Sequence, residues 1–348
     1  MDLFKPLPIS LALTAAGAAA FFRILAANRA RLAQAQQDLI NAKLSSTSSS
    51  YVPVAIFVGG TAGIGQGMAE AFARRTGGKC HIILIGRNEA SAKAIISKFP
   101  KAAVPGAKYE FVQCDASLMG NIKQTTTELL SRLPRINFLV ISAVDVRTLT
   151  RQETAEGMDS KLALFYYGRF KFIRDLTPAL ERARTNGEDG KVYIVAAPGK
   201  GKHIDWNDLG FKKMYSFLNI RVQIPLYLDI ILQELATRSP MLTFIHAYPG
   251  TVRTNLGSHA PWPMPLILRL IFFFKYPWTL SYSESGDYML RAMLVTAKGP
   301  GVWSVGEDGH NLPAGVVYKA SEEERRRLWE HTVEETTVKE RGKIDEVH

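Results

Sequence analysis

The sequence predicts a single doubly wound α/β domain built on a parallel sheet, with a helical appendage at its N-terminus. Three observations predict it. From Tyr51 onward, short apolar runs alternate with longer amphipathic stretches, the order of a sheet covered by helices on both faces. The first of those runs ends in a glycine-rich turn that opens a helix. The chain has 348 residues, enough for one large domain with additions.

Residues 1–50 differ from the rest. No charge interrupts residues 7–22, which are rich in Ala and Leu; Arg23, Arg29 and Arg31 follow, then a polar helical run and the serines of 45–50. A spanning helix needs roughly 20 apolar residues, and this stretch falls short unless Arg23 snorkels to the interface. The segment is expected to associate with a membrane through residues 7–25, the arginines holding the main domain on the cytosolic side of the endoplasmic reticulum or another membrane. A dispensable amphipathic helix and a mitochondrial-type presequence are the alternatives. A cleaved signal peptide is disfavoured because the positive charge follows the apolar run. The serines form a flexible linker.

The main domain, 51–320, carries candidate strands at 52–58, 81–85, 109–113, 138–142, 192–196 and 243–247, and a seventh around Trp303. Each is a continuous apolar run, as expected where both faces are covered. Helices are predicted between them, the two longest at 158–183 and 208–238. The charge-dense stretch after residue 320 reads as a solvated helix and tail, 321–348, packed through Leu328, Trp329 and Val333.

Val58-Gly59-Gly60-Thr61-Ala62-Gly63-Ile64-Gly65 lies between the first strand and a helix. One glycine allows the tight turn, one lets the backbone approach a pyrophosphate, and one lets helix and strand pack closely. The helix end supplies free N–H groups and the positive end of its dipole. Gly59, Thr61, Ala62, Gly63, Ile64 and Gly65 are therefore candidate cofactor contacts. About twenty residues on, the second strand ends in Arg87-Asn88, where NAD-selective sites carry an acid. Arg87 offers a planar fork for a 2′-phosphate, which favours NADP(H). After the third strand, Asp115-Ala116 places a carboxylate that can accept from an adenine amino group or cap a helix.

Together these residues resemble the short-chain dehydrogenase/reductase family, of Rossmann fold, over residues 52–318. The wording of Glu156-Gly157-Met158-Asp159 and Tyr166-Tyr167-Gly168-Arg169 is similar to a fungal branch of it. The resemblance implies that Tyr248-Pro249-Gly250-Thr251-Val252-Arg253-Thr254 is the family's proline-glycine segment, with Pro249 and Gly250 beside the cofactor and Thr254 on the nicotinamide carboxamide. It implies that Ala143, after the fourth strand, faces the cofactor. It also implies that Tyr215, on the helix after the fifth strand, is the catalytic tyrosine.

The departures are as informative. Where the family carries lysine four residues past its tyrosine, this chain has Asn219; Ala196-Ala197 replace the serine closing the fifth strand; Phe165 falls where the helix asparagine stands. The Asn-Asn-Ala-Gly of the family is here Ile141-Ser142-Ala143-Val144. A tyrosine near pKa 10 with no cation beside it is a poor base at pH 7, yet it can donate a proton to a developing oxyanion. Reduction is therefore expected over oxidation. Lys200, Lys202, His203, Lys212 and Lys213 are candidate substitute cations, with solvated loop and helix-end roles as the alternative. His246, at a strand end, reads as a core histidine. The expected function is NADPH-dependent reduction of a carbonyl or activated double bond in a lipophilic small molecule, as in secondary metabolism. The alternatives are a catalytically silent NADP(H)-binding subunit and a non-redox isomerase or cyclase.

A second apolar segment, 261–280, follows the proline-glycine motif with Trp262, Trp278 and three prolines near its start. It reads as a lid over a lipophilic substrate, a dip into a membrane interface, or a core helix. The formal charge is +11, but the basic residues are scattered and no Lys/Arg block is interleaved with aromatics, which excludes a nucleic-acid groove. Cys80 and Cys114 lie in no metal-ligand spacing, so neither a zinc site nor a disulfide framework is expected. Pairing through the two long helices, giving a homodimer, is implied by resemblance alone.

Overall fold

The computed structural model describes residues 9–42, 51–144, 150–253 and 276–338. Seven strands form one parallel sheet: β1 (Val54–Val58), β2 (His81–Gly86), β3 (Lys108–Gln113), β4 (Phe138–Ile141), β5 (Lys191–Val195), β6 (Thr243–Ala247) and β9 (Gly301–Val305). Their spatial order is β3-β2-β1-β4-β5-β6-β9. β7 (Val252–Arg253) and β8 (Leu280–Ser281) make a separate two-stranded ribbon.

The order reverses between β1 and β4, and a crevice opens at the carboxyl ends of such a pair, where α/β proteins take their ligands. β1 begins two residues later than its apolar run suggests. Pro53 has no N–H to give to the ladder, and its carbonyl accepts from His81 instead. The central strands are buried on both faces and divide the core in two: Ile56, Ile83 and Ile194 belong to one layer, Phe57, Leu84 and Tyr193 to the other.

One layer is covered by α4 (Met119–Arg132), α5 (Gly168–Thr185), α6 (Phe217–Arg238) and α8 (Glu322–Thr336). The other is covered by α2 (Gly63–Thr76), α3 (Glu89–Ile96) and α7 (Tyr282–Arg291), with α1 (Ile9–Asn41) laid outside. α8 is integral to its layer: Leu328 is fully buried, Trp329 packs edge-on against Phe170, and Thr332 Oγ1 lies 2.7 Å from Tyr166 Oη.

The first long helix does not begin at 158. Asp159 caps a short turn (Ser160–Leu162), which widens into a π-helical segment (Ala163–Tyr167) before α5 starts. The second begins at Phe217 and not at 208. Asp208 explains the delay, because its carboxylate accepts the N–H groups of Lys212, Lys213 and Met214 and folds them into a loop. Ser216 then caps α6 by accepting from Asn219 N.

Candidate functional site

The turn after β1 is built by what its glycines prevent. Gly59 has φ +83°, and a Cβ there would stand 2.6 Å from Ala143 N. At Gly65 a Cβ would fall 2.2 Å from Ser142 Oγ and 2.6 Å from Gly59 O. So the turn closes onto the end of β4 with no room for a side chain, which brings Ala143 to the crevice beside Gly59. The N-cap of α2, Ala62, contributes no side-chain hydrogen bond, so the first-turn N–H groups keep their capacity for an anion.

Arg87 is exposed at the end of β2. Asn88 beside it caps α3, its Oδ1 accepting from Ser91 N at 2.9 Å. Asp115 takes neither of its two expected roles outright. One carboxylate oxygen accepts from Ser117 N and Ser117 Oγ, a local turn, while the N-cap position of α4 belongs to Leu118. The acid that serves α4 is Glu156, from a distant loop, which accepts from Met119 N and Gly120 N at 2.6 and 2.7 Å. Ala116 is packed under α5, its carbonyl 2.4 Å from where a Cβ on Gly168 would lie.

Arg87 and Asp115 line one wall of a cavity of about 560 Å³. Ser117, Gln152, Ser160 and Lys161 also line it, so the 150–161 stretch closes over this cavity.

At the other side, Pro249 and Gly250 follow β6. Gly250 has φ +73°, and a Cβ there would press on Glu307. Thr254 lies outside the described residues, as do residues 261–275 of the second apolar segment; near its end is a 3₁₀ turn, Tyr276–Trp278. Tyr215 is not on the helix after β5; it stands just before the cap Ser216. Its hydroxyl donates to Thr150 O at 3.2 Å, the carbonyl that also accepts Lys161 Nζ at 2.7 Å. Lys161 Nζ is 5.9 Å from the centre of the Tyr215 ring. Burial, and then the negative charge of Asp159, push the Tyr215 phenol up to about 12. It is a protonated group at neutral pH.

Three features were not read from sequence. Arg169 is buried, and its guanidinium donates to Val195 O (2.8 Å), Ala143 O (3.2 Å) and Leu164 O (3.4 Å), tying the ends of β4 and β5 to the π-helical turn. Desolvation pulls its pKa down to about 10, which leaves it charged at pH 7. Lys200, one of the candidate cations, lies 3.0 Å over the ring of Tyr248, so a lysine and a tyrosine meet where β5 and β6 end. Of the others, Lys212 is engaged with Glu335 at 3.2 Å. His246 is fully buried and its Nδ1 is 2.7 Å from Asp229 Oδ1, the second carboxylate oxygen accepting Gly199 N. Its Nε2 has no hydrogen-bond partner among the described residues. Cys80 and Cys114 are buried free thiols, and no group of metal-ligating side chains occurs among the described residues.

A glycine turn closing on β4 at the switch point is the feature by which this fold holds a dinucleotide, and the comparisons agree with it. A short chain dehydrogenase family model matches residues 53–198. Oxidoreductase AN1596 of Emericella nidulans is 33% identical over 267 residues, which are 76% of this chain and 78% of the relative. The chain belongs to the short-chain dehydrogenase family. Membership sets its general class, an oxidoreductase working with a nicotinamide cofactor. The human polyprenol dehydrogenase is 27% identical over 241 residues, 66% of this chain and 72% of that protein. Among solved structures, the alcohol dehydrogenase of the archaeon Thermococcus sibiricus, complexed with 5-hydroxy-NADP, shares the fold. Its TM-score is 0.52 at 16% identity, covering 78% of this chain and all of that one.

Proposed function

We propose that this short-chain dehydrogenase is an NADPH-dependent reductase of a carbonyl or activated double bond in a lipophilic small molecule. The observation that carries the cofactor half is Arg87, exposed at the end of β2 where an NAD site would place an acid, beside a cavity that shares its wall with Asp115. The uncapped start of α2 would take the pyrophosphate, and Pro249, Gly250 and Thr254 would flank the nicotinamide. Bound there, the cofactor supplies a hydride. What the chain must add is a proton at the substrate oxygen. Tyr215, held protonated, is the donor in this reading, with Lys161 the nearby cation that Asn219 does not provide. The lipophilic substrate is supported by the second apolar segment and by a relative whose name gives it a polyprenol.

A second reading has a specific observation behind it. The Tyr215 hydroxyl is already occupied by a backbone carbonyl, and Ala197, Asn219 and Phe165 remove the rest of the family's relay. A silent NADP(H)-binding subunit fits these facts.

Titration of the full chain with NADPH and with NADH, followed by fluorescence of the reduced nicotinamide, tests the cofactor half. NADPH is expected to bind more tightly, and Arg87→Ala to lower its affinity at least about tenfold while leaving NADH unchanged, as for loss of one charge-assisted pair. Failure of both nucleotides to bind overturns the reading. NADPH binding without hydride transfer to any member of a broad carbonyl panel selects the silent subunit.

A further inference from the structure

The two apolar segments lie far apart in sequence, yet the fold brings their described parts together: the 3₁₀ turn Tyr276–Trp278 packs beside α1. α1 itself has two unlike halves. From Leu25 to Leu39 it is docked, with Leu25, Asn28, Leu32, Ala35 and Leu39 at helical spacing turned to the body and most of the residues between them exposed. Side-chain bonds fix that half in place: Asp38 to Arg291 at 2.6 Å, Gln36 to Asp287 at 2.8 Å, and Arg75 to the Gln36 carbonyl at 3.1 Å.

Toward the N-terminus the docking stops. Gly17 and residues 19–23 are exposed, Phe22 at 67%. Residues 9–22 contain no charged residue at all. A helix uncharged on every side is not a one-sided partner for another helix in water; such a helix is normally buried all round. Its base carries Arg23, Arg29 and Arg31, all exposed, and beside α1 stands the turn with Trp278 at 61% and Tyr276 at 48% exposure. Arg253 stacks on Tyr276, 4.6 Å from the ring centre, which adds another cation to that face.

We infer that this face is a lipid-docking surface: residues 9–22 enter an anionic bilayer, Tyr276 and Trp278 lie in its headgroup layer, and Arg23, Arg29 and Arg31 meet the lipid phosphates. Aromatic side chains with a wet edge and arginines on long stems are the residues that occupy that boundary. The occupant is a membrane and not a second protein because α1 passes from an uncharged stretch through exposed arginines to a docked half, with exposed aromatics beside it. The fourteen uncharged residues of described helix reach about 21 Å, against roughly 30 Å of hydrocarbon. In keeping with that, no described helix is long and apolar enough to span. Since the helix is clamped to α7, it sets the tilt of the whole domain on the membrane.

Flotation of the full chain with vesicles tests the surface. Binding is expected to be strong to phosphatidylcholine mixed with phosphatidylserine and weaker to phosphatidylcholine alone. Phe21→Asp with Phe22→Asp, in the undocked half where folding is not at stake, should cut binding at least about tenfold. Arg29→Glu with Arg31→Glu should abolish the preference for the anionic vesicles, and Trp278→Ser should weaken binding to both. The melting temperatures of the variants should match the parent. The inference is overturned if neither vesicle is bound, or if binding survives both double variants. It is equally overturned if the phenylalanine pair instead abolishes self-association in vesicle-free solution, which would make the occupant a second copy.

Discussion

Arg169 and Val195 are joined at the carboxyl edge of the sheet, the buried guanidinium Nη1 donating to the strand-end carbonyl at 2.8 Å. Nη2 reaches the Ala143 carbonyl after β4, so one side chain ties together the ends of the adjacent strands β4 and β5. Arg169→Met keeps the volume of the stem and removes the donors. The Val195 and Ala143 carbonyls, which take the two shorter of its three bonds, then lose a partner at about 1–3 kcal/mol each, and a loss of roughly 2–6 kcal/mol in urea unfolding is expected. Arg169→Lys should recover part of it, because one ammonium can serve one carbonyl but not the fork. No change in either variant would mean that water replaces the guanidinium.

α2 and α7 cross at glycine. A Cβ at Gly67 would stand 2.1 Å from Tyr282 O, and one at Gly286 would meet Gly67 C at 2.4 Å. Gly67→Ala must push the helices apart, with an expected cost of about 1–3 kcal/mol. Gly299→Ala, where nothing lies within 4 Å, is the control and should be neutral. Because α2 also presents its first turn to the crevice, Gly67→Ala should weaken NADPH binding as well, measured in the same titration.

Alkaline unfolding is expected between pH 10 and 12. Tyr109, Tyr215 and Tyr288 are each raised to about 12, burial being the largest cause in every case. An unfolded phenol titrates near 10, so the folded chain holds these protons more tightly. The stability they contribute is whole below pH 10 and is lost as pH rises through 12. Tyrosinate absorbance should appear together with loss of far-UV dichroism; tyrosinate forming stepwise in a folded chain would contradict the raised values.

The strands were legible because a parallel strand buried on both faces is a continuous apolar run; residues 243–247 match β6 at both ends. The cofactor turn was legible because its constraint is local, glycines followed by a helix. Helix starts were less so. Asp208 binding the N–H groups of residues 212–214 is a loop device that leaves no break in apolar spacing, and it alone moved Tyr215 off the helix. Contacts between distant residues left no local trace: Glu156 serving α4 from 36 residues away, Lys200 over Tyr248, and Asp229 on His246. The gradient from α1 to Trp278 was visible only as two separate apolar stretches, since their proximity is a product of the fold.

The proton donor is the sharpest open choice, and two tyrosines compete for it. Tyr215 matches the family by order in the chain, but its hydroxyl donates to Thr150 O and faces the 150–161 stretch. Tyr248 immediately follows β6, one residue before Pro249, with the Lys200 ammonium 3.0 Å over its ring. If Tyr215 is the donor, Tyr215→Phe should lower kcat at least about a hundredfold with little change in nucleotide affinity, the usual scale for a general acid. Tyr248→Phe should then cost less than about fivefold, since only packing beside the nicotinamide changes. The reverse pattern assigns the proton to Tyr248, and Lys200→Met should in that case lower kcat as well, by removing the side chain stacked on its ring. Equal, small effects in both variants would show that neither phenol transfers the proton, leaving the silent subunit as the reading that survives.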